Sequence, residues 1–259
     1  MLEGFYIAAS GMLTQQRTIN VLANNMANVK TPGYKARRVL SETFEQELLI
    51  RMEKNNTQVI GAGEATRIVR DVATDFGENL LEETGRPFDM ALVGPGYFNI
   101  QGENNQYLTR NGNFDVDTEG YLILEGAGRV LGEDGEIEVG GSYFTVSEDG
   151  VVMDSEGSEL GRLLITDPQA AGNGEQEGAA DLPLVQQANG LYTVTEGVEN
   201  TPATGYSVYQ KVLERPNLDL NREYTLVMEA QRSFQSCANA LKIIDGINQK
   251  TATQIASIG

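Results

Sequence analysis

Two heptad-like stripes of apolar residues, one near each end of the chain, constrain the fold more than any other feature. Near the N-terminus, apolar side chains recur at alternating steps of four and three, which places them on one face of an α-helix. Gln16 is the one polar member of this stripe, which otherwise consists of Phe5, Ala9, Met12, Ile19, Ala23 and Met26. The sequence Thr31-Pro32-Gly33 ends the segment, because proline disfavours helix in the preceding residue and glycine opens a turn. The pattern predicts a helix from Leu2 to about Lys30.

The second stripe repeats this spacing from about Leu218 to the C-terminus. Its members are Leu220, Tyr224, Val227, Gln231, Phe234, Ala238 and Leu241. Isolated helices are marginal in water unless their apolar face is buried. We therefore expect the two helices to pair with each other and with neighbouring copies of the chain. The alternative that the pattern leaves open is a two-helix stalk within one subunit.

Between the stripes the sequence is typical of β-structure. Short apolar runs alternate with turn dipeptides, a spacing that predicts hairpins in an all-β domain. The dipeptides are Asn111-Gly112, Glu119-Gly120, Asp134-Gly135, Asp149-Gly150 and Glu156-Gly157. Residues 168–181 are expected to form an exposed loop. Residues 42–51 are compatible with a short helix, and residues 66–72 with a strand.

The predicted fold class is α+β, with long N- and C-terminal helices forming a paired-helix assembly domain and an all-β middle domain. The predicted division is 1–35 with 216–259 for the helical domain, 36–80 for a connecting extended or β region, and 81–215 for an acidic outer β-domain.

The net charge of −18 is concentrated in the middle of the chain. Residues 71–215 carry a net charge of −21, against +3 for residues 1–70 and zero for residues 216–259. A dense acidic surface repels phosphate backbones, so nucleic acid is excluded as a partner. The sequence has no apolar run long enough to insert directly in a membrane and no basic-then-apolar start typical of a cleaved signal peptide.

The composition argues against an enzyme. The chain has no histidine and one cysteine, Cys237, so the usual zinc ligand sets and the commonest general base are missing. Asp115-x-Asp117-x-Glu119 resembles the start of a calcium loop, but Gly126 stands where the bidentate glutamate is needed. We predict no catalytic, cofactor-binding or metal-binding residues and no cofactor, with Cys237 as a small buried residue. A carboxylate-pair glycosidase is the enzymatic alternative.

Several motifs resemble those of the bacterial flagellar rod and hook proteins. Ala9-Ser10-Gly11-Met12 and the stretch from Ala23 to Lys35, ANNMANVKTPGYK, resemble the family's N-terminal signature. The middle of the chain contributes ETGRPFDMAL from Glu83, GPGYF from Gly94 and YLTRNGNF from Tyr107. The C-terminal end contributes NLDL from Asn217 and EAQRSF from Glu229. With the two N-terminal stretches counted as one motif and the two C-terminal stretches as another, five motifs in the family's order cover the chain from end to end.

The resemblance implies a structural subunit of the flagellar basal-body rod, either the distal rod protein or its close sister. Such a subunit polymerises helically through its terminal helices, forms the torque-transmitting shaft between motor and hook, and leaves the cell through the flagellar type III channel. Its implied partners are copies of itself, other rod and hook proteins and the export apparatus. The alternatives are a hook-type axial protein and a discrete coiled-coil oligomer that presents an acidic β binding module.

The predicted assembly interface combines the apolar stripes with the asparagines near the end of the first helix. Its residues are Phe5, Ala9, Met12, Ile19, Ala23, Asn24, Asn25, Met26, Asn28, Tyr224, Val227, Gln231, Phe234, Ala238 and Leu241. Asparagine is a poor helix residue, so three within five positions need an explanation. Their amides either fix the register of adjacent subunits or mark a frayed helix end. Arg37 and Arg38 either contact acidic neighbours or form a solvated basic pair.

Overall fold

The computed structural model describes residues 2–43, 48–53, 56–62, 67–75, 77, 79–103, 105–141, 143–168, 184–187, 190–194 and 201–256. Its elements are, in chain order, α1 (Leu2–Ala27), β1 (Arg37–Thr43), β2 (Leu48–Glu53), β3 (Asn56–Ala62), β4 (Arg67–Thr74), β5 (Leu81–Glu83), β6 (Met90–Val93), β7 (Tyr97–Gln101), β8 (Gln106–Thr109), β9 (Phe114–Val116), β10 (Leu122–Leu124), β11 (Gly128–Gly132), β12 (Gly135–Glu136), β13 (Phe144–Val146), β14 (Val151–Asp154), β15 (Glu159–Arg162), β16 (Ile165–Asp167), β17 (Leu184–Gln186), β18 (Leu191–Val194), β19 (Thr201–Pro202), β20 (Ser207–Gln210), β21 (Val212–Glu214) and α2 (Leu220–Ala256). Two long helices therefore flank a β-rich middle, which confirms the predicted α+β class.

The chain forms two compact units. The helical unit contains residues 1–26, 37–73 and 219–259, and the β unit contains residues 27–36 and 74–218. The three domains predicted from the sequence, at 1–35 with 216–259, 36–80 and 81–215, remain a prediction. The sequence was compatible with a short helix at 42–51, but all described residues of that segment lie in β1 or β2. The strand expected at 66–72 is confirmed by β4. The exposed loop expected at 168–181 lies outside the described residues, except for Pro168.

Within the helical unit, α1 and α2 pack against each other in an antiparallel register. Three facing pairs fix this register, namely Gly4 with Ile244, Gly11 with Cys237, and Asn25 with Glu223. A step forward along α1 is matched by an equal step backward along α2, and the first two pairs stand seven residues apart on each helix. A methyl group placed on Gly11 would lie 3.3 Å from the Sγ atom of Cys237, so the small glycine allows close approach. The two helices thus pair within a single chain.

Two glycines of the helix pair, Gly11 at the contact and Gly246 away from it, allow a matched test of packing. Gly11→Leu should lower the free energy of unfolding by about 1 to 3 kcal/mol, because the added side chain forces α1 and α2 apart. Gly246→Ala should instead raise it by about 1 kcal/mol, since alanine is the better helix residue, and no atom of the described residues lies within 4 Å of the added methyl group. Thermal unfolding followed by circular dichroism at 222 nm would measure both, and a stabilising Gly11→Leu would contradict the close packing.

The helical unit also contains two two-stranded sheets, β1 with β4 and the antiparallel hairpin of β2 and β3. In the β unit, a ten-stranded sheet follows the order β17-β18-β8-β7-β11-β10-β9, with β12, β16 and β19 attached at its side. The β unit further contains the meander β13-β14-β15 and the pairs β6 with β20 and β5 with β21. Its core is apolar, and Phe98 and Phe114 meet edge to face at its centre, with ring centroids 5.2 Å apart.

The turn dipeptides were largely correct predictors of hairpins. Four of them lie between paired antiparallel strands, at Glu119-Gly120, Asp134-Gly135, Asp149-Gly150 and Glu156-Gly157. Asn111-Gly112 is different, because it joins β8 to β9, which pair with other strands. A methyl group on Gly112 would lie 1.7 Å from the carbonyl oxygen of Met90, so this glycine serves a close backbone approach. The hairpin expected there was wrong for that reason.

Candidate assembly site

The predicted interface residues on the two helices differ in exposure. Asn25 and Asn28 are buried, while Phe5, Ala23, Asn24, Tyr224 and Gln231 are exposed. The remaining members are half-buried, namely Ala9, Met12, Ile19, Met26, Val227, Phe234, Ala238 and Leu241. The two helices therefore touch most closely along a line next to the predicted stripes. The stripes themselves form a partly exposed side of the helix pair, which we call the flank. Whether that flank contacts other copies stays a prediction.

A substantial apolar surface remains exposed on the helices. On α1 the exposed large side chains are Phe5, Tyr6 and Leu13, with exposed fractions of 44%, 63% and 65%. On α2 they are Leu220, Tyr224, Met228, Ile243 and Ile247. The chain thus leaves a large part of its helical apolar surface in contact with water. Such a concentration of exposed apolar residues is typical of surfaces that bind another protein.

Asn25 has a definite structural partner set within the helical unit. Its amide nitrogen donates to the carbonyl oxygen of Arg37 at 2.9 Å and to the Glu223 carboxylate at 3.1 Å. Its amide oxygen accepts from the Arg37 backbone N–H at 3.1 Å. The buried amide therefore pairs with the first residue of β1 as a peptide group would. This contact ties the strand to both helices.

The buried Glu223 carboxylate is balanced by Arg38, whose Nη1 lies 2.8 Å from Oε1. Glu223 is 1% exposed, and an unpaired carboxylate would be very costly at such a position. Of the two expected roles for Arg38, the ion pair is the one observed, with an acidic residue of its own chain. Sequence reasoning missed Glu223. The sequence did contain a signal for it. Glu223, Ala230 and Cys237 follow one another at intervals of seven residues on one face of α2, and an acid is unusual beside two small residues there.

Asn28 and Thr31 close the C-terminal end of α1. The Thr31 backbone N–H donates to the Asn28 carbonyl oxygen at 3.0 Å, and the Thr31 hydroxyl donates to the Asn28 side-chain oxygen at 3.3 Å. Helix ends leave carbonyl groups without intrahelical partners, and such contacts satisfy them. Asn28 therefore has an ordered local role, so the frayed-end interpretation does not hold for it.

A second buried polar cluster, which we call the clasp, lies in the β unit and consists of Gly33, Lys35, Arg110, Glu214 and Asn217. The Lys35 ammonium lies 2.6 Å from Glu214 Oε1 and donates to the Gly77 carbonyl oxygen at 2.8 Å. Both side chains of this ion pair are 4% exposed. The Gly33 backbone N–H donates to the Glu214 carbonyl oxygen at 2.8 Å. The segment that follows α1 is thereby joined to the segment that precedes α2.

Arg110 and Asn217 complete the clasp. The Arg110 guanidinium donates to the carbonyl oxygens of Leu92 and Gly94 at 3.0 and 2.6 Å, and its Nη1 lies 3.9 Å from Glu214 Oε2. The Asn217 side chain accepts from the Ala36 backbone N–H at 2.6 Å and donates to the Asp75 carbonyl oxygen at 2.8 Å. The four hydrogen bonds among these contacts each satisfy a backbone group.

Burial shifts the ionisation of three groups near the clasp. Burial lowers the pKa of the Lys35 ammonium, and the nearby Glu214 carboxylate opposes that shift. Burial raises the pKa of the phenols of Tyr97 and Tyr192, whose rings pack with centroids 5.6 Å apart. The Arg110 guanidinium lies 5.2 Å from the Tyr97 ring centroid and acts against the rise in that residue's pKa. Burial is the main cause of all three shifts.

The two buried phenols predict a loss of stability in alkali. Above pH 10 the unfolded chain releases both protons while the folded chain retains them, because the folded pKa values are raised. Each tyrosine should then cost about 1.4 kcal/mol of unfolding free energy per pH unit. Tyr192→Phe should accordingly lose about 1.4 kcal/mol less than the unchanged chain between pH 9 and pH 11, as measured by urea unfolding. Tyr143→Phe is the control, since Tyr143 is 83% exposed, and an equal effect there would contradict the assignment.

Neither described helix combines the length and the hydrophobicity that crossing a membrane requires.

Three family models match the chain. Residues 5–35 match the flagella basal body rod protein, residues 91–159 the D1 domain of the flagellar hook protein FlgE/F/G, and residues 209–255 the C-terminal region of the flagellar basal body rod FlgEFG protein. The matched segments contain most of α1, all three chain segments of the clasp and nearly all of α2.

Curated relatives cover nearly the whole chain. The chain is 26% identical over 266 residues to the flagellar basal-body rod protein FlgF of Caulobacter vibrioides, covering 100% of this chain and 99% of the relative. It is 29% identical over 266 residues to the flagellar basal-body rod protein FlgG of Bacillus subtilis, covering 96% and 98%. It is also 27% identical over 276 residues to the flagellar hook-basal body complex protein FlhO of Bacillus subtilis, covering 100% of both.

Proposed function

Because the chain belongs to the flagellar basal-body rod protein family, we propose that it is a structural subunit of the rod that polymerises helically through α1 and α2. In this role it forms part of the torque-transmitting shaft between motor and hook and resides in the flagellar basal body. The observation that carries the proposal is the apolar surface that the helix pair leaves exposed. An open helical polymer grows through contacts in which one surface of a subunit binds a different surface of the next subunit.

The charge distribution supports the same arrangement. Residues 71–215, most of which form the β unit, carry a net charge of −21, and the segments that contain α1 and α2 carry +3 and zero. Weakly charged helices can crowd together, while mutual repulsion keeps acidic units apart and solvated. A place in the rod is favoured over a place in the hook, because the two relatives that align over nearly the full chain are named rod proteins.

The finer parts of the proposal concern partners and chemistry. The subunit contacts other rod and hook proteins at the ends of its own segment, and it reaches the rod through the flagellar export apparatus. It needs no cofactor and acts without catalysis. Asn25 and Asn28 take part by ordering the end of α1, and Asn24 is the exposed member of the three.

The proposal is tested by incorporation into basal bodies. A chromosomal copy tagged at the C-terminus should appear in rods isolated from motile cells and viewed by immunogold electron microscopy. A chain lacking residues 2–26 should be absent from those rods and leave the cells non-motile, while near-ultraviolet circular dichroism of the purified variant shows a folded β unit. Tyr143→Ser, which changes an exposed side chain of the β unit, is the control for export and should be incorporated. Rods that never contain the tag would end the proposal.

A further inference from the structure

Two apolar groups on the helices, whose large side chains are all exposed, match each other in spacing. The first, which we call the α1 patch, is formed by Phe5, Ala9 and Leu13, each four residues from the next. The second, the α2 patch, is formed by Leu220, Tyr224 and Met228 at the same spacing. Residues four apart lie on one face of a helix, one above the other. Each patch is therefore a short apolar ridge about two turns long.

The two ridges are complementary in size when the helices run antiparallel. Phe5 then faces Met228, and sulfur–aromatic contacts of this kind are favourable. Tyr224 faces Ala9, whose small side chain leaves room for a large ring. Leu13 faces Leu220 at the other end. Neither ridge contains a charged residue, so bringing them together buries no charge.

The ridges cannot meet within one chain, because the internal register places them at different heights. Gly11 faces Cys237, so Leu13 stands at the level of Gln235. Leu220 lies 15 positions before Gln235 on α2, which is about 22 Å at the rise of an α-helix. The exposure of both ridges agrees with this, since Leu13 is 65% exposed and Leu220 is 48% exposed. Only a second copy of the chain can bring the two ridges into contact.

We infer that the α1 patch of one copy binds the α2 patch of a second copy, and that neighbouring copies are offset along the helix axis by about 22 Å. The inference rests on the proposed function and names the contact through which it operates. Two different patches meet, so each copy keeps one free α1 patch or one free α2 patch and growth continues in both directions. A face-to-face dimer would instead use the same patch twice.

The size of the contact bears on how assembly proceeds. With Tyr6, which packs edge to face with Phe5, the exposed parts of the two ridges amount to on the order of 700 Å². Stable pairs of proteins bury about 1,000 Å² or more. One such contact is therefore too small to hold a dimer at low concentration. The chain should be monomeric when dilute and should polymerise cooperatively once several contacts per copy form together.

Paired cysteines test the contact directly. In a Cys237→Ala background, Leu13→Cys combined with Leu220→Cys should form disulfides between copies on mild oxidation of isolated rods and of the concentrated protein, giving a ladder of multimers on denaturing gels. The bond cannot form within one chain, since bridged Cα atoms lie about 4.4 to 6.8 Å apart. Leu13→Cys with Ile243→Cys is the matched control, because Ile243 is at least as exposed as Leu220, at 64% against 48%, but lies outside the α2 patch. The control pair should give no ladder.

The outcomes separate the inference from the proposed function. Leu13→Cys alone should give no dimers, because the α1 patch does not meet its own copy. Dimers from that single variant, or a ladder no stronger than that of the control pair in rods that contain the protein, would overturn the inference and leave the rod function standing. Absence of every variant and of the unchanged tagged chain from rods would instead overturn the rod function, and the inference with it.

Discussion

Lys35→Met should lower the free energy of unfolding of the β unit by about 3 to 5 kcal/mol, because it leaves the Glu214 carboxylate buried without its closest cation. The Lys35 ammonium lies 2.6 Å from Glu214 Oε1, whereas Arg110 Nη1 is 3.9 Å from Oε2 and already donates to the Leu92 carbonyl oxygen. Arg110 therefore compensates the remaining charge only in part. Urea unfolding followed by tyrosine fluorescence would measure the loss as a lower midpoint.

The exposed ion pair of Arg215 and Glu82 is the matched control for Lys35→Met. Its two charged atoms lie 2.8 Å apart, but the side chains are 56% and 50% exposed. Arg215→Gln should therefore leave the urea midpoint almost unchanged. The double variant Lys35→Met with Glu214→Leu should recover much of the loss, since no buried charge remains. A loss no greater than that of Arg215→Gln would show that the clasp contributes little to stability.

The clasp gives a physical reason for several motif residues at once. Gly33 and Lys35 come from the turn after α1, Arg110 from the middle of the chain, and Glu214 and Asn217 from the segment before α2. Each contributes a buried contact to one cluster, and three separate parts of the sequence depend on one another there. A change at any of the three affects the others, which follows from the cost of an unpaired buried polar group.

The sequence predicted the parts of the fold that repeat regularly. The two helices follow from the four-and-three spacing of apolar residues, and four hairpins follow from their turn dipeptides. The line of closest helix contact could not be predicted in the same way, because Gly4 and Gly11 carry no apolar side chain to mark it. The ion pairs were also out of reach, since Lys35 and Glu214 are far apart in the chain and a charged residue usually lies at the surface. Asn25 was singled out from the sequence as an interface residue, which stays a prediction, and its partners within the helical unit could be found only from the three-dimensional structure.

Gly33→Ala should destabilise the β unit by about 3 to 5 kcal/mol, from left-handed backbone strain and steric overlap together. Gly33 has a φ of +66°, which side-chain-bearing residues rarely adopt. The added methyl group would lie 2.2 Å from the Arg110 carbonyl oxygen and 2.7 Å from the Asn111 backbone nitrogen. Backbone atoms cannot rotate away as a flexible side chain can. The turn also cannot retreat without breaking the hydrogen bond from Gly33 N–H to Glu214.

Gly85→Ala separates the two contributions to the effect of Gly33→Ala. Gly85 has a similar φ of +73°, but in the part of the chain that the structure describes no atom lies within 4 Å of an added methyl group. Its substitution should therefore cost only the backbone strain, about 1 to 2 kcal/mol. Urea midpoints of the two variants, measured side by side with the unchanged chain, give the steric part as their difference. Equal losses at the two positions would mean that the turn does not approach Arg110 as closely as the structure places it.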